Sequence, residues 1–273
     1  MPVRWEEPQV NLDRAEQMLC EAADRGADLV ALPEYFYLPA SRHAEPVPGP
    51  LTQRFGNLAR KLRLHVVLGS IGEKAGRRLY NTACLLDDRG QVVGTYRKRF
   101  LWWTERSHTS PGRQAPVFET RLGRIGLALC WDLAFPEHFR DLALGGAQIA
   151  VCPAFWQAID RYGRLAAPDL PRLQPLRQAE EFFVNTCAGA RAAENAMATA
   201  FINGIGRTDI CGQIDRLIGQ SQVVMPFLGV VAHAGKRAGL VLADIDLDLV
   251  ADAERSYGLR EDARRTRGIQ RYT

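Results

Sequence analysis

The fold of this chain is decided by the stretch GADLVALPEYF at residues 26–36, which returns as GAQIAVCPAFW at residues 146–156. Each copy contains a Gly-Ala pair after a predicted helix, then a buried strand, a proline and two aromatic residues. The copies lie 120 positions apart without a gap. Two interpretations stay open: any two helix–strand units share such a pattern, or the chain has two pseudo-equivalent halves that each supply one sheet.

Helices and strands alternate on both sides of these copies. Apolar residues with helical spacing run from an N-cap at Asn11 to a stop at Gly26, and a second helix begins at Pro136 and ends at Leu144. Apolar runs predict strands at residues 29–32, 66–71, 80–86, 92–96 and 125–129. The last third predicts a helix at 176–194, strands at 197–203, 222–225, 230–233 and 240–245, and a short helix at 246–254. This order favours helices outside and sheets inside.

The composition is that of an ordinary globular protein, with 47% hydrophobic and 24% charged residues among 273 positions. No run of about 18 apolar residues is present, so we expect no membrane-spanning helix. The first residues lack the apolar core of a signal peptide. The six cysteines form no C-x-x-C pair and the five histidines are scattered. This pattern predicts reduced thiols, a cytoplasmic location and no metal site.

The net charge of +4 is unevenly distributed along the chain. Residues 255–273 carry six arginines and two acids, whereas residues 1–254 balance to zero. A basic surface for nucleic acid across the body of the protein is therefore not expected. We predict that residues 1–254 form one domain and that residues 255–273 form a basic tail, which docks on acidic groups of a neighbouring subunit.

Three side chains of different chemistry follow predicted strands: Glu34, Lys98 and Cys130. In α/β proteins, ligands usually bind at such strand ends. A thiolate can attack an amide carbon, a carboxylate can move the proton, and an ammonium can stabilise the oxyanion. Each residue alone has an ordinary explanation, because a cysteine at a strand end is usually a core residue and charged residues beside turns are usually solvated.

The segments around these residues resemble the three signature segments of the nitrilase superfamily, the carbon–nitrogen hydrolases. They read LPE at residues 32–34, YRKRFL at 96–101 and CWDLAFPE at 130–137, in the order of the family and with its separations of 64 and 32 residues. Later segments are also similar, namely RAAEN at 191–195 with FINGIG at 201–206, and GQSQVV at 219–224 with DID at 244–246. The resemblance covers almost the whole chain.

The resemblance implies a four-layer α-β-β-α sandwich and a cysteine-dependent hydrolysis of non-peptide carbon–nitrogen bonds that needs no cofactor and no metal. It implies Glu34 as general base and acid, Lys98 as the cation that stabilises the oxyanion, and Cys130 as nucleophile. The backbone N–H of Trp131 would complete the oxyanion hole. Members of the family form at least dimers, so we expect a homodimer or a larger homo-oligomer.

Residues near these motifs bear on the site and its substrate. Glu105 matches a second active-site glutamate of many members, and the alternative is a loop carboxylate paired with Arg106. Asp132 favours amide or N-carbamoyl hydrolysis, because true nitrilases tend to carry Cys-Trp-Glu. The alternatives are a nitrilase that converts a nitrile to a carboxylate and ammonia, and a non-catalytic relative that serves as a binding subunit.

Aromatic residues follow each motif, and pockets for small ligands are often aromatic. Core packing explains about half of such residues equally well. The candidates for binding the substrate are Tyr35, Trp102, Phe135 and Trp156, together with Phe36, Trp103 and Phe155. Arg172 and Arg177 are candidates for pairing with a substrate carboxylate, although a solvated surface position is the more ordinary reading.

Two positions depart from the pattern of the family. Members often carry a histidine two residues after the lysine, where this chain has Phe100. The family normally opens with a strand before the first helix, but MPVRWEEPQ at residues 1–9 contains two prolines and two glutamates and is poor strand material. We therefore expect either a missed upstream start or a sheet that lacks a strand.

Overall fold

Two β-sheets lie face to face in the computed structural model, which describes residues 1–158, 179–210 and 213–269. The first sheet has four strands that are neighbours in chain order. They are β1 (Leu29–Ala31), β2 (His65–Ala75), β3 (Arg78–Leu86) and β4 (Val92–Arg97). β1 pairs with β2 in parallel, and the other pairs are antiparallel. The predicted hairpin at residues 80–96 is confirmed as β3 and β4.

The second half of the chain supplies the other sheet. Its strands are β5 (Val117–Thr120), β6 (Gly123–Leu127), β7 (Ile149–Ala154), β8 (Ala198–Asn203), β9 (Ile205–Ile210), β10 (Gln213–Ile218), β11 (Gln222–Met225) and β12 (Gly229–His233). Six of them form a sheet in the order β12-β11-β8-β7-β6-β5, in which β6, β7 and β8 run parallel. β9 and β10 form a separate two-stranded ribbon.

Helices α1 (Pro8–Asp24) and α2 (Pro50–Leu62) cover the outer face of the first sheet, and α3 (Pro136–Leu144) and α4 (Ala179–Ala193) cover that of the second. They are followed near the end of the chain by α5 (Leu247–Tyr257), which packs at the cluster between the sheets, and α6 (Leu259–Ile269). One apolar cluster joins α1 and α2 to the first sheet, a second lies between the sheets, and a third joins α3 and α4 to the second sheet. The predicted α-β-β-α layering is confirmed. None of the helices in the described part of the chain has the length and apolar character that crossing a bilayer requires.

The start of α1 differs from the prediction, because the helix begins at Pro8 and Asn11 is not its N-cap. Proline suits the first helical position, where its missing N–H would have no partner. The buried Asn11 side chain instead accepts a hydrogen bond from the Arg4 N–H at 3.0 Å and donates one to the Arg4 carbonyl at 2.6 Å. It thereby fixes the N-terminal segment, in which Pro2 forms a parallel bridge with Ile205.

Helix α2 is absent from the predicted elements, although its sequence carries a helical signal. Pro50 occupies the first helical position, and Leu51, Phe55 and Ala59 recur at four-residue intervals. All three apolar residues are buried against the first sheet, as an amphipathic surface helix requires. The proline-rich stretch before it, with prolines at 46, 48 and 50, favours a loop and obscures this signal.

A groove of about 640 Å³ runs along the free edge of β1. It is lined by residues 29–33, by parts of β8 and β11, and by residues 239–245. The predicted strand at 240–245 is wrong, because these residues lie outside any strand. No described strand occupies the groove between these residues and β1. The free edge of β1 therefore has no ladder partner there.

We expect a strand placed in this groove to stabilise the fold. A short segment of alternating valine and threonine, fused in front of Met1, would pair with the edge of β1 and bury the apolar lining. The thermal unfolding midpoint should rise by several degrees, measured by circular dichroism. The matched control carries proline at every second position, which removes the ladder N–H groups. Equal midpoints for the two fusions would contradict the expectation.

The basic tail is largely helical as far as Ile269, and two of its arginines dock on their own chain. Arg260 is only 7% exposed. Its guanidinium donates to the carbonyls of Asn195 at 3.3 Å and Ala196 at 2.9 Å, and lies 3.5 Å from the Glu254 carboxylate. Arg264 reaches a carbonyl at the end of α3. Arg260 and Arg264, two of the basic residues that we expect to face a neighbouring subunit, thus bind groups of their own chain.

Candidate active site

Three charged side chains meet in the interior, between the ends of the strands. The Lys98 Nζ lies 2.8 Å from Glu34 Oε1 and 2.7 Å from Glu105 Oε2, and its side chain is 1% exposed. Glu105 therefore pairs with Lys98 and not with Arg106. Within the residues that the structure describes, no group of three His, Cys, Asp or Glu side chains is arranged to hold a metal ion.

Glu34 owes its position to the crossing of two chain segments beyond β1. A Cβ atom at Gly69 in β2 would collide with the carbonyl oxygens of Leu32 and Pro33, so only glycine allows this close approach. Tyr35, the next residue, has a φ of 50° and donates its N–H to Ser70 Oγ at 3.0 Å. The carboxylate of Glu34 is thereby turned into the space between the sheets.

Asn81 in β3 links the two carboxylates and was not among the predicted site residues. Its Nδ2 donates to Glu34 Oε1 at 2.7 Å and to Glu105 Oε1 at 2.8 Å. Glu105 also accepts from the Tyr35 hydroxyl at 2.8 Å and from the Trp102 N–H at 2.8 Å. The sequence carries one signal for this role: Asn81 is an amide within the largely apolar run of β3. A buried amide there needs hydrogen-bond partners.

Cys130 faces this cluster from the second sheet. It opens a short 3-10 turn that covers residues 130–134, after β6 and an extended two-residue connection. Its φ of 46° is a left-handed conformation that is strained for a residue other than glycine, at a typical cost of about 1–3 kcal/mol. The thiol lies beside the Glu34 carboxylate, and the Phe155 N–H donates to Glu34 Oε2 at 2.9 Å. The structure therefore brings Glu34, Lys98, Glu105 and Cys130 together.

The pKa shifts in the cluster follow from burial and from the charges of neighbouring side chains. Burial raises the pKa of the Glu34 carboxyl, although the Lys98 cation opposes the shift. Burial and the Glu34 charge also raise the pKa of the Cys130 thiol well above its usual range. Burial alone would lower the pKa of Lys98, but the carboxylates of Glu105 and Glu34 raise it well above its usual value. Burial opposes ionisation of Glu105, yet Lys98 lowers the pKa of its carboxyl.

It follows that Lys98 remains a cation and Glu105 an anion near neutral pH, and that the resting thiol is neutral. Glu34 is the member of the cluster that can exchange a proton with the thiol, because its pKa is raised above the ordinary value of a carboxyl and it lies beside Cys130. A carboxylate beside a neutral thiol is placed to act as its general base.

Three of the predicted substrate-binding aromatics surround Trp131, the residue after Cys130. The ring centroid of Trp131 lies 4.6 Å from Trp102, 6.0 Å from Phe135 and 5.5 Å from Trp156. Phe183 from α4, which was not predicted, stacks on Trp131 at 6.3 Å. The indole N–H of Trp156 donates to Glu180, whose pKa is raised by burial. These rings form one aromatic wall beside the thiol.

The other predicted aromatics lie elsewhere. Tyr35 is part of the polar cluster through its hydroxyl, Phe36 packs edge-on against Phe55 in the core, and Phe155 stacks on Trp5 at 4.4 Å. Trp103 is 42% exposed. Arg172 and Arg177 lie outside the described residues.

Phe100, which stands where the family often has histidine, stacks on Phe135 with a centroid distance of 3.9 Å and an interplanar angle of 5°. The exchange therefore replaces a polar ring with an apolar contact at the edge of the aromatic wall. The carboxylates of Glu34 and Glu105 contact Lys98 although position 100 is a phenylalanine.

Comparisons with known proteins add independent findings. A family model described as carbon-nitrogen hydrolase matches residues 1–255. The omega-amidase NIT2 of Danio rerio is 31% identical over an alignment that covers 93% of this chain and 89% of that protein. A protein of Pyrococcus abyssi named nitrilase is 32% identical, with coverage of 89% and 86%.

A solved structure is also similar along nearly the whole chain. It is a variant of the amidase from Nesterenkonia sp. AN1 in which the acetamide moiety of fluoroacetamide is covalently added at the active site cysteine. It is 25% identical, has a TM-score of 0.70, and is matched over 94% of this chain and 93% of its own.

Substituting Asn81 by alanine should destabilise the protein, because two buried carboxylates each lose a charge-assisted hydrogen bond. We expect the free energy of unfolding in urea to fall by about 3 kcal/mol. The matched control is Thr82→Ala, which removes a single hydrogen bond to Glu73 from the neighbouring position of the same strand, with an expected loss of about 1.5 kcal/mol. A smaller loss for Asn81→Ala than for Thr82→Ala would contradict the assigned contacts.

Proposed function

This chain belongs to the carbon–nitrogen hydrolase family, as the three motif segments predict, and we propose that it hydrolyses a small amide or N-carbamoyl compound at Cys130. The observation that carries the proposal is the contact of a buried thiol with a carboxylate that also holds a buried ammonium. Glu34 touches both Cys130 and Lys98. These are the nucleophile, the base and the cation that amide cleavage needs.

In the first step, the sulfur of Cys130 attacks the carbonyl carbon of the substrate while its proton passes to Glu34. A base that already lies beside the thiol removes the need for a free thiolate, which burial disfavours here. The C–N bond then breaks, and Glu34 gives the proton to the departing nitrogen. Ammonia or an amine leaves, and an acyl thioester remains on Cys130.

The oxyanion of the tetrahedral intermediate is stabilised by Lys98 and by the backbone N–H of Trp131. Trp131 is in the first turn of a 3-10 helix, where an N–H has no acceptor within the turn. Each such donor typically contributes about 3–4 kcal/mol to lowering the barrier. Glu105 keeps the Lys98 ammonium in place through a contact of 2.7 Å.

In the second step, a water molecule gives a proton to Glu34 and its oxygen attacks the thioester carbon. The C–S bond breaks, the proton returns from Glu34 to the sulfur, and the carboxylic acid is released. One carboxylate thus serves as base and acid in both halves of the reaction. The raised pKa of Glu34 suits this double use, because it makes the carboxylate a stronger base towards the thiol and the water than an ordinary carboxylate.

We assign substrate contact to the aromatic wall around Trp131, formed by Trp102, Phe135 and Trp156. Its support is the ring distances of 4.6–6.0 Å and the chain connection of Trp131 to the nucleophile. Tyr35 acts through Glu105 and not as a pocket wall, because its hydroxyl is bound there. Nitrile hydrolysis is the second candidate reaction, favoured by the similarity to the Pyrococcus abyssi protein named nitrilase.

We also propose a cytoplasmic homo-oligomer in which residues 1–254 form the hydrolase domain and the tail from residue 255 contributes to subunit contacts. The five cysteines within the described ranges are all free thiols, as a reducing compartment favours. Exposed apolar side chains on and beside the edge strand β12 support assembly. They are Phe227, Leu228, Val230, Val231 and Tyr257.

Substituting Cys130 by alanine should lower the rate of ammonia release by at least about a thousandfold, because the thioester cannot form. The assay should cover aliphatic amides, ω-amides of dicarboxylates, N-carbamoyl amines and nitriles. Cys84→Ala is the matched control, since it removes another buried thiol and should retain activity. Full activity of Cys130→Ala would overturn the proposal, and an inactive wild-type protein on the whole panel would favour a binding role.

The pH dependence should report Glu34. It must be ionised to accept the thiol proton, so kcat/KM should fall as pH drops through its raised pKa, while Lys98 stays charged through the neutral range. The Glu105 charge raises the pKa of Glu34, so Glu105→Gln should move the acid limb to lower pH as well as reduce the rate. Glu73→Gln, a buried carboxylate bound to Arg97, should leave the limb in place. A shift to higher pH in Glu105→Gln would contradict this assignment.

A further inference from the structure

The carboxylate of Asp132 lies buried between the chain segment that carries Lys98 and the turn that carries Cys130. It is fully inaccessible to solvent. Three donors from three different residues point at its two oxygens, and two of these donors are backbone N–H groups. A carboxylate with three directed donors and no exposure is a rigid connection, because the donors fix both of its oxygens and no water competes for them.

On the side of the nucleophile, Asp132 closes the turn in which Cys130 lies. Its Oδ2 accepts the Leu129 N–H at 2.8 Å, and its own N–H donates to the Leu129 carbonyl at 3.0 Å. Cys130 sits between these two residues with its left-handed φ of 46°. The reciprocal pair therefore holds the residue that would otherwise relax to an unstrained conformation.

On the side of the cation, Asp132 holds the chain before and after Lys98. Its Oδ2 accepts the Tyr96 hydroxyl at 2.6 Å, and its Oδ1 accepts the Phe100 N–H at 2.9 Å. The Tyr96 oxygen in turn accepts the Arg99 N–H at 3.0 Å. Lys98 is thus flanked on both sides by atoms that are attached, directly or through one oxygen, to Asp132.

We propose that Asp132 is a positioning residue that fixes the distance between the Lys98 ammonium and the Cys130 thiol. The two groups come from different sheets, and Asp132 is bonded to both of the segments that present them. This inference rests on the proposed function, because the fixed distance matters only if the thiol attacks and the ammonium receives the oxyanion. An asparagine could not replace the aspartate, since its NH₂ group would face a donor.

The test is Asp132→Asn in the full chain, with Glu45→Gln as matched control. Glu45 is another buried carboxylate that accepts a backbone N–H, from Leu51 at 2.8 Å, at the start of α2. Both variants should lose thermal stability. Only Asp132→Asn should lower kcat, by about a hundredfold with KM changed by less than about threefold, because a misplacement of about 1 Å has that effect on rate.

A second measurement is the pH dependence of Cys130 alkylation by iodoacetamide, followed by peptide mass mapping. This profile should not change if Asp132 only stabilises the fold. Release of the turn takes the thiol out of its buried contact with Glu34, so the pKa of Cys130 falls towards its ordinary value. Alkylation in Asp132→Asn should therefore begin at lower pH than in the wild type, while turnover decreases. In Glu45→Gln, the alkylation profile should match the wild type.

A variant Asp132→Asn that loses stability like Glu45→Gln but keeps the wild-type kcat and alkylation profile would overturn the proposal. Should this variant fail to fold, Tyr96→Phe removes one of the three donors, and we expect a five- to tenfold lower kcat with the same direction of the alkylation shift. An unchanged Tyr96→Phe would then overturn it. Alkylation needs no substrate, so it decides the role of Asp132 even where the panel of amides shows no turnover.

Discussion

The Lys98 ammonium between two buried carboxylates is the interaction on which the rest of this site depends. An unpaired buried charge costs several kcal/mol, and Lys98 is compensated by contacts of 2.7–2.8 Å with Glu105 and Glu34. Two carboxylates around one cation leave an excess of negative charge. Burial raises the pKa of Glu34, and the Glu105 charge adds to this rise while the Lys98 cation opposes it. The carboxylate that is less well compensated is the one in contact with the thiol.

The architecture distributes this cluster over both halves of the chain. Glu34 and Lys98 follow β1 and β4 of the first sheet, whereas Cys130 and Phe155 follow β6 and β7 of the second. The two sequence copies at residues 26–36 and 146–156 end in residues that meet here, since the Phe155 N–H donates to Glu34. The repeat therefore describes the site as well as the fold, with one copy supplying a side chain and the other a backbone donor.

The sequence predicts those parts of the fold and site that rest on local chemistry. Pro136 and Gly145 bound α3 because proline and glycine act through their own backbone, and the three reactive residues stand out by their motifs. Contacts between distant segments are not visible in this way. Asn11 has the chemistry of an N-cap, but its position is decided by Arg4, and Asn81 becomes a site residue only when β3 places it between two carboxylates. Residues 240–245 have a strand pattern without a described partner.

Because the site is divided between two sheets, the protein can lose activity on heating before it loses secondary structure. Apolar packing between the inner faces, in a cluster that includes Leu85, Leu127 and Val151, keeps the thiol in register with its base. A slide of one sheet over the other by about 1 Å would part them while leaving every strand and helix formed. Loss of catalytic activity and loss of secondary structure are therefore separate events. Circular dichroism of a heated sample reports only the loss of secondary structure.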